Sequence, residues 1–372
     1  MINQNRVVEE FIELVKIDSE SKNEAEIARV LKKKLEDLGL DVVEDDTKET
    51  TGLGSGNLIA KLSATKASGD TILFSCHFDT VTPGIGIEPI INGDIIETNK
   101  STILGADDKA GIAALLEGIR VLKEQNIDHG DVEIVLTGGE EIGLIGATVV
   151  DKSALCSTYG FALDSGGKVG EIIVASPDQG KIKATVHGIA AHAGVAPEAG
   201  VSAIEIAAKA ITNMPLGRLD EELTANIGII NGGERTNIVT DLVEVVGEAR
   251  AITFSKLENQ MNTMKKAFIE AAEERGCTVD IEIEYSRVGY RLLETDRVVE
   301  VASEAVKNVG RTPQLAATGG GSDANIFTSA GIPTANLGVG YLDIHSKDEK
   351  MPITELVKLS ELVVELIKVA AK

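Results

Sequence analysis

Cysteine, basic charge and long apolar runs are all scarce in this chain, and each shortage closes off a class of protein. Three Cys among 372 residues (Cys76, Cys156 and Cys277) form no CxxC pair and no disulfide framework. The chain therefore reads as one that folds in a reducing compartment, its thiols serving as small apolar side chains. Lys plus Arg number 36 against 59 for Asp plus Glu, a formal net charge of −23. That sign repels phosphate backbones and anionic lipid, which excludes nucleic acid and membrane partners and favours cations. No apolar stretch reaches the ~18 residues of a membrane-spanning helix. The opening Met1-Ile2-Asn3-Gln4-Asn5-Arg6 lacks the apolar core of a secretory signal, so the expectation is a soluble, cytoplasmic protein. There is also no internal repeat, no low-complexity tract, and no GxGxxG opening a helix after a strand, which removes dinucleotide binding.

What is present is a chain that is 43% hydrophobic and long enough for two domains and a large core. Thr71 to Cys76 has strand character and runs straight into His77, with Asp79 two positions on. Side chains two apart in an extended segment leave the backbone on the same side, so an imidazole and a carboxylate arrive together at a strand's carboxyl end. The layout recurs: Val132 to Thr137 passes through two glycines to Glu140 and Glu141, and Tyr159 to Leu163 runs into Asp164. In open α/β sheets that rim is where ligands bind.

The order of elements predicts the domain plan. Apolar stripes (Val7, Val8, Phe11, Leu14, Val15, then Ile27, Leu31, Leu35, Leu38) predict two opening helices. Gly105-Ala-Asp-Asp-Lys-Ala-Gly111 precedes Ile112, Leu115, Leu116, Ile119 and Leu122 at helical spacing, so Asp107 and Asp108 stand where a helix begins. Strands and helices alternate up to about residue 175, which predicts a mostly parallel sheet covered on both faces. Residues 177–286 instead read β-α-β-β-α-β, the order of a ferredoxin-like α+β unit, with Val201, Ile204, Ala208 and Ile211 as the apolar stripe of its first helix. The α/β pattern then resumes over 287–372. The expectation is a first domain built from 1–176 and 287–372, interrupted by an inserted one.

His77, Asp79, Asp107, Asp108, Glu140, Glu141, Asp164 and His345 form the chemical set. Two imidazoles among several carboxylates suit zinc, cobalt or manganese better than calcium. A pair of such ions sharing one carboxylate activates water for hydrolysis, and an adjacent Glu-Glu lets one residue bind metal while the other moves the proton. Each motif alone has an ordinary reading, as a hydrogen-bonded pair, a helix cap or solvated loop charge. All of them, however, fall at a sheet rim or helix start. Cys76 points to the other strand face and reads as packed; Asp164-Ser165-Gly166-Gly167 lacks the disulfide-bearing β-barrel that a nucleophilic Ser165 would imply; His129 and His187 read as structural or exposed.

The strings SCHFDTV, GADDKAG, GGEEIG, FALDSGG, AAHAGVAPEAG, GGERTNIV and GGGSDAN, with His345, occur in order over nearly the whole chain. Together they resemble the di-zinc exopeptidase and aminoacylase family that includes glutamate carboxypeptidase, and within it the peptidase T (tripeptide aminopeptidase) branch and its shorter relatives. The resemblance implies a metallopeptidase domain with an inserted lid and dimerisation domain, two Zn2+ per subunit (Co2+ or Mn2+ being possible), short peptide substrates and a homodimer. It implies that Asp107 bridges the ions, one also held by His77 and Asp164 and the other by Glu141 and His345. Glu140 would be the general base, Asp79 would orient His77, and His192 would stabilise the oxyanion. Asp108 would follow Asp107 across a cis peptide. Asn237, Arg250, Gly320 and Ser322 match substrate-contacting positions. The Asp at 164, where several relatives carry Glu, fits the aminopeptidase-like branches. The alternative within the same chemistry is an N-acyl amino acid amidohydrolase or a carboxypeptidase.

Overall fold

The computed structural model describes residues 1–66 and 69–372. The chain separates into two compact units, Met1–Val174 with Leu292–Ala317 and Ser322–Lys372, and Ala175–Arg291 with Thr318–Gly321.

The first unit opens with α1 (Gln4–Val15), whose Asn3 side chain caps the Arg6 N–H and whose Val7, Val8, Phe11, Leu14 and Val15 are buried, and with α2 (Ala25–Asp37). The edge hairpin β1 (Asp41–Glu44) and β2 (Leu58–Leu62) follows, then β3 (Ile72–His77), every residue of which is buried. That continuous burial is what a strand covered on both faces requires. Next comes α3 (Ala106–Glu124), rich in alanine and buried nearly all round, then β4 (Val132–Thr137), β5 (Tyr159–Ser165) and β6 (Glu171–Ser176).

The second unit carries β7 (Asp178–His187), α4 (Ala203–Asn213), β8 (Leu223–Gly232), β9 (Leu242–Ala251), α5 (Phe254–Glu273) and β10 (Thr278–Arg287). The strands pair antiparallel in the order β8-β9-β7-β10, with the short strand Gly217–Arg218 outside β8. Ile182, Ala184, Val186, Val243 and Val245 from the sheet meet Ile206, Leu257, Met261, Met264 and Phe268 from the helices in one core. One expectation holds only in part. Ile204 of α4 is 44% exposed and Ala208 is exposed, and the buried face is Ala203, Ile206, Ala207 and Ala210. Val201 and Ile211 do pack against this core, but small side chains let the helix lie close to the sheet, so alanines with Ile206 form its inward face.

On its return to the first unit the chain adds α6 (Arg297–Asn308), α7 (Asp323–Ser329), β11 (Thr334–Gly338) and the closing α8 (Ile353–Ala370). The sheet order is β1-β2-β4-β3-β5-β11-β6. The four central strands β4, β3, β5 and β11 run parallel, and the flanking pairs β1/β2, β2/β4 and β11/β6 are antiparallel. A small separate sheet of Ile90–Asn92, Ile95–Glu97 and Met351–Pro352 ties the loop after β3 to the start of α8. Among the described residues no helix is long and apolar enough to cross a membrane.

Candidate functional site

Parallel pairing puts the carboxyl ends of the central strands on one rim. His77 lies opposite Thr137 in the β3/β4 register, and β5 pairs alongside β3 before continuing to Asp164. The loop Leu104–Asp107 brings the start of α3 to the same rim. Gly105 sits there at φ +70°, a left-handed conformation that a side chain would strain. One turn later a Cβ at Gly111 would lie 2.6 Å from the Leu163 carbonyl oxygen, so only glycine lets α3 approach the end of β5 this closely. The peptide bond between Asp107 and Asp108 is cis.

Asp107 is the hub of the cluster. Its Oδ1 lies 3.0 Å from His77 Nε2 and its Oδ2 lies 3.2 Å from His345 Nε2. His77 Nε2 is also 3.8 Å from Asp164 Oδ1, and His345 Nε2 is 3.0 Å from the carboxylate oxygens of Glu141. The structure thus brings His77, Asp107, Glu141, Asp164 and His345 into contiguous contact within the first unit. His77 Nδ1 donates to the Asp79 backbone carbonyl at 3.0 Å, which turns Nε2 toward the carboxylates. The sequence reading gave Asp79's carboxylate the task of orienting His77; that carboxylate lies 3.5 Å from His77 Nδ1 and has further partners. It accepts from Ser21 Oγ (2.7 Å) and from the backbone N–H groups of Glu140 (3.0 Å) and Glu141 (3.4 Å), and so holds the Glu140-Glu141 turn against β3.

Further residues join the cluster, of which Tyr341 and Asn336 carry no signal in the sequence pattern. The buried Tyr341 hydroxyl reaches Asp107 Oδ1 (3.4 Å) and Asp164 Oδ1 (3.3 Å). Asn336 donates to the Asp164 carbonyl at 2.8 Å and to Ser322 Oγ at 3.1 Å, while its own side-chain oxygen accepts the Asp164 N–H. Asp323 is buried, with one oxygen accepting from Thr137 Oγ1 at 2.5 Å and the other without a partner among the described residues. The buried ammonium of Lys109 donates to the Ile17 carbonyl.

Crowding acids and imidazoles out of water shifts their protonation. Burial would raise the Asp107 carboxyl, but hydrogen bonds from His345 and His77 outweigh it and hold the group below the usual range. Burial, with the neighbouring charge of Asp107, pushes Asp164 up to about 7. Glu140 is raised well above the ordinary carboxylate value by burial and by the charges of Asp164, Asp323 and Glu141. Burial would lower His77, yet its bonds to Asp107, Asp164 and Asp79 raise it well above 6.5, and the bonds to Asp107 and Glu141 raise His345 to about 10.

The donors fit a metal. His77, Asp107 and Glu141 can each place one ligand atom within 4.8 Å of the others. For metal–ligand distances of ~2.0–2.2 Å, tetrahedral geometry sets donors about 3.3–3.6 Å apart. The separations of 3.0 Å (His77–Asp107), 3.2 Å (His345–Asp107) and 3.8 Å (His77–Asp164) bracket that range.

The remaining candidates lie in the second unit, apart from Ser322, which caps α7 by accepting the Ala324 N–H. His192 is exposed on the short strand Ala191–His192, paired with Ile238–Val239, and its Nδ1 accepts the Gly194 N–H. Ala193 donates to the carbonyl of Asn237, so His192 and Asn237 share one small ribbon. Arg250 is engaged by Glu248 (2.9 Å) and by the Gly319 carbonyl (3.1 Å), and the Gly320 carbonyl accepts from Ser176 Oγ. The histidines outside the site have ordinary partners: His187 meets Asp280 at 2.8 Å and His129 meets the Gly130 carbonyl.

A family model described as peptidase family M20/M25/M40 matches residues 73–369. A curated relative from Bacillus subtilis (strain 168), described as the uncharacterized protein YqjE, is 55% identical over 372 residues, covering all of both chains. The solved aminopeptidase PepT from Bacillus cereus ATCC 10987 is 55% identical, with a TM-score of 0.96 and full coverage of both chains. A tripeptidase structure from Staphylococcus aureus subsp. aureus Mu50 is 43% identical, with a TM-score of 0.97, covering 100% of this chain and 99% of that one.

Proposed function

This chain belongs to peptidase family M20/M25/M40, and on that footing we propose that it is a metal-dependent exopeptidase of the peptidase T type, releasing the amino-terminal residue of short peptides. The observation that carries the reading is Asp107 standing between two imidazoles, each with its own further carboxylate. The aminopeptidase and tripeptidase names of the 55% and 43% identical structures support the choice of substrate.

In this proposal His77 and Asp164 hold one divalent cation, Glu141 and His345 a second, and Asp107 both; zinc suits the nitrogen and oxygen donors, and cobalt or manganese would serve. A bound pair supplies Lewis acidity at the scissile carbonyl and lowers the pKa of water toward ~7. Glu140 takes the proton from the attacking water and passes it to the leaving amine, a role suited to a carboxyl that its surroundings have already made more basic. Asp79 fixes the backbone of both glutamates, so the base and its metal-binding neighbour keep their spacing. Tyr341 steadies the Asp107 and Asp164 carboxylates. His192 as the oxyanion donor, Asn237, Arg250, Gly320 and Ser322 as substrate contacts, and a homodimer formed through the inserted unit belong to the same proposal.

The test is hydrolysis, by the zinc-reconstituted protein, of a tripeptide with both ends free, the same peptide N-acetylated, and the same peptide C-amidated. Loss of the amino-terminal residue from the free and amidated peptides, with the acetylated one intact, is expected. Cleavage of the acetylated peptide at its acyl end, or of carboxyl-terminal residues alone, would instead mark an amidohydrolase or a carboxypeptidase. Mixing His192→Ala with Glu140→Ala subunits tests the dimer: recovered activity is expected, and none after confirmed subunit exchange contradicts it.

A further inference from the structure

Glu349 is 2% exposed, and both of its carboxylate oxygens are spent on backbone. Oε2 accepts the N–H groups of Leu104 and Gly105, each at 2.8 Å, and Oε1 accepts those of Ala106 (2.8 Å) and Asp107 (3.1 Å). Four consecutive amides therefore converge on one side chain at the start of α3. Only an ionised carboxylate meets four donors without presenting a donor of its own.

The segment bearing Glu349 also bears two groups that touch the Asp107 carboxylate. Tyr341 and His345 reach it through their side chains, while Glu349 holds its backbone N–H. The loop is closed at its base by the paired backbones of Leu342 and Lys350, which donate to one another's carbonyls at 2.9 and 3.0 Å. The Ser346 carbonyl accepts the Glu349 N–H within it. His345 and Glu349 thus belong to one braced unit, and that unit grips Asp107 by side chain and main chain at once.

We propose that Glu349 is a positioning residue: it locks Leu104–Asp107 so that the Asp107 carboxylate already stands between His77 and His345 before a cation arrives. This rests on the metal reading above. It adds that the affinity of the pair depends on a carboxylate that touches neither ion. Glu349→Gln is nearly isosteric but turns an NH2 donor toward two backbone donors, so about half the grip is lost.

Glu133 supplies a matched control. It is also buried and also binds backbone, accepting from the N–H groups of Cys156 and Ser157, but it lies near the start of β4, at the end of that strand away from Thr137. The experiment titrates Zn2+ into chelator-stripped full-length wild type, Glu349→Gln and Glu133→Gln against a chromophoric chelator, alongside the thermal midpoint of each metal-free protein. The expected result is a ~10–100-fold loss of zinc affinity in Glu349→Gln and wild-type affinity in Glu133→Gln, whatever midpoint each loses. Wild-type affinity in Glu349→Gln, or an equal loss in both variants, overturns the proposal. A wild type that binds no zinc overturns the metal reading instead. A measurement on the wild type covers the case in which Glu349→Gln does not fold. Amide exchange of Leu104–Asp107 in the metal-free protein is expected to be slow. Fast exchange that slows only when zinc is added would mean that the ions, not Glu349, order the loop.

Discussion

His345 Nε2 stands 3.2 Å from Asp107 Oδ2, although one residue opens a helix in the first third of the chain and the other lies in a loop near its end. The opposite oxygen of the same carboxylate faces His77 at 3.0 Å. Asp107 is therefore common to both halves of the site, whereas His345 serves one. Zinc content per chain should fall from about two in the wild type to near zero in Asp107→Ala, and to about one in His345→Ala, as measured by elemental analysis of reconstituted protein. Equal content in the two variants would remove Asp107 from its shared position.

Cation loading should release protons. In the metal-free protein His345 keeps its proton up to about 10, through its bonds to Asp107 and Glu141, and His77 is also raised well above 6.5. A metal needs the neutral imidazole, so at pH 7.5 binding displaces both protons, and affinity climbs with pH by about tenfold per unit for each proton displaced. Calorimetry in buffers of different ionisation enthalpy checks this. A heat of zinc binding that is independent of buffer contradicts it.

Glu140→Gln should hold its zinc and lose turnover. Removing the proton carrier while leaving the five ligands in place costs ~10²–10⁴-fold in kcat, with zinc content unchanged. Zinc lost in parallel with activity would make Glu140 a ligand rather than a base.

Lys109 gives the metal-free fold a pH dependence of definite sign. Burial lowers its ammonium from the ordinary 10.5 to about 7, against the favourable charges of Asp18, Glu349 and Asp79. Between pH 7 and 10.5 the unfolded chain holds this proton and the folded chain does not, so this contribution rises with pH across that window and costs most below it. Lys109→Met removes it. The stability difference, variant minus wild type, measured by urea unfolding of metal-free protein, should be largest at pH 6.5 and shrink toward pH 10. A flat difference curve would show that Lys109 does not titrate in that window.

The sequence carried those features that depend on short-range pattern. Ile72–His77 reads as a buried strand, and every residue of it is buried, while the apolar spacing after Asp107-Asp108 announced the start of a helix. Convergence on one rim followed from parallel order, since equal strand polarity brings the carboxyl ends together. Tyr341 and Glu349 stayed hidden because what matters in them is a contact with Asp107 made across the fold, and neither sits in a pattern that periodicity or spacing would single out. The inward face of α4 was partly misread for a different reason: alanines can form a helix's buried side when the sheet beneath is close. Asp79 was noticed for its proximity to His77, but where its carboxylate spends its hydrogen bonds depends on Ser21 and the turn after β4.

The central claim is a pair of cations sharing Asp107, and anomalous diffraction at the zinc absorption edge from crystals of the reconstituted protein tests it most directly. Two peaks ~3.5–4 Å apart on either side of the Asp107 carboxylate are expected, one beside His77 and Asp164 and the other beside Glu141 and His345. A single peak, or peaks away from Asp107, would contradict it.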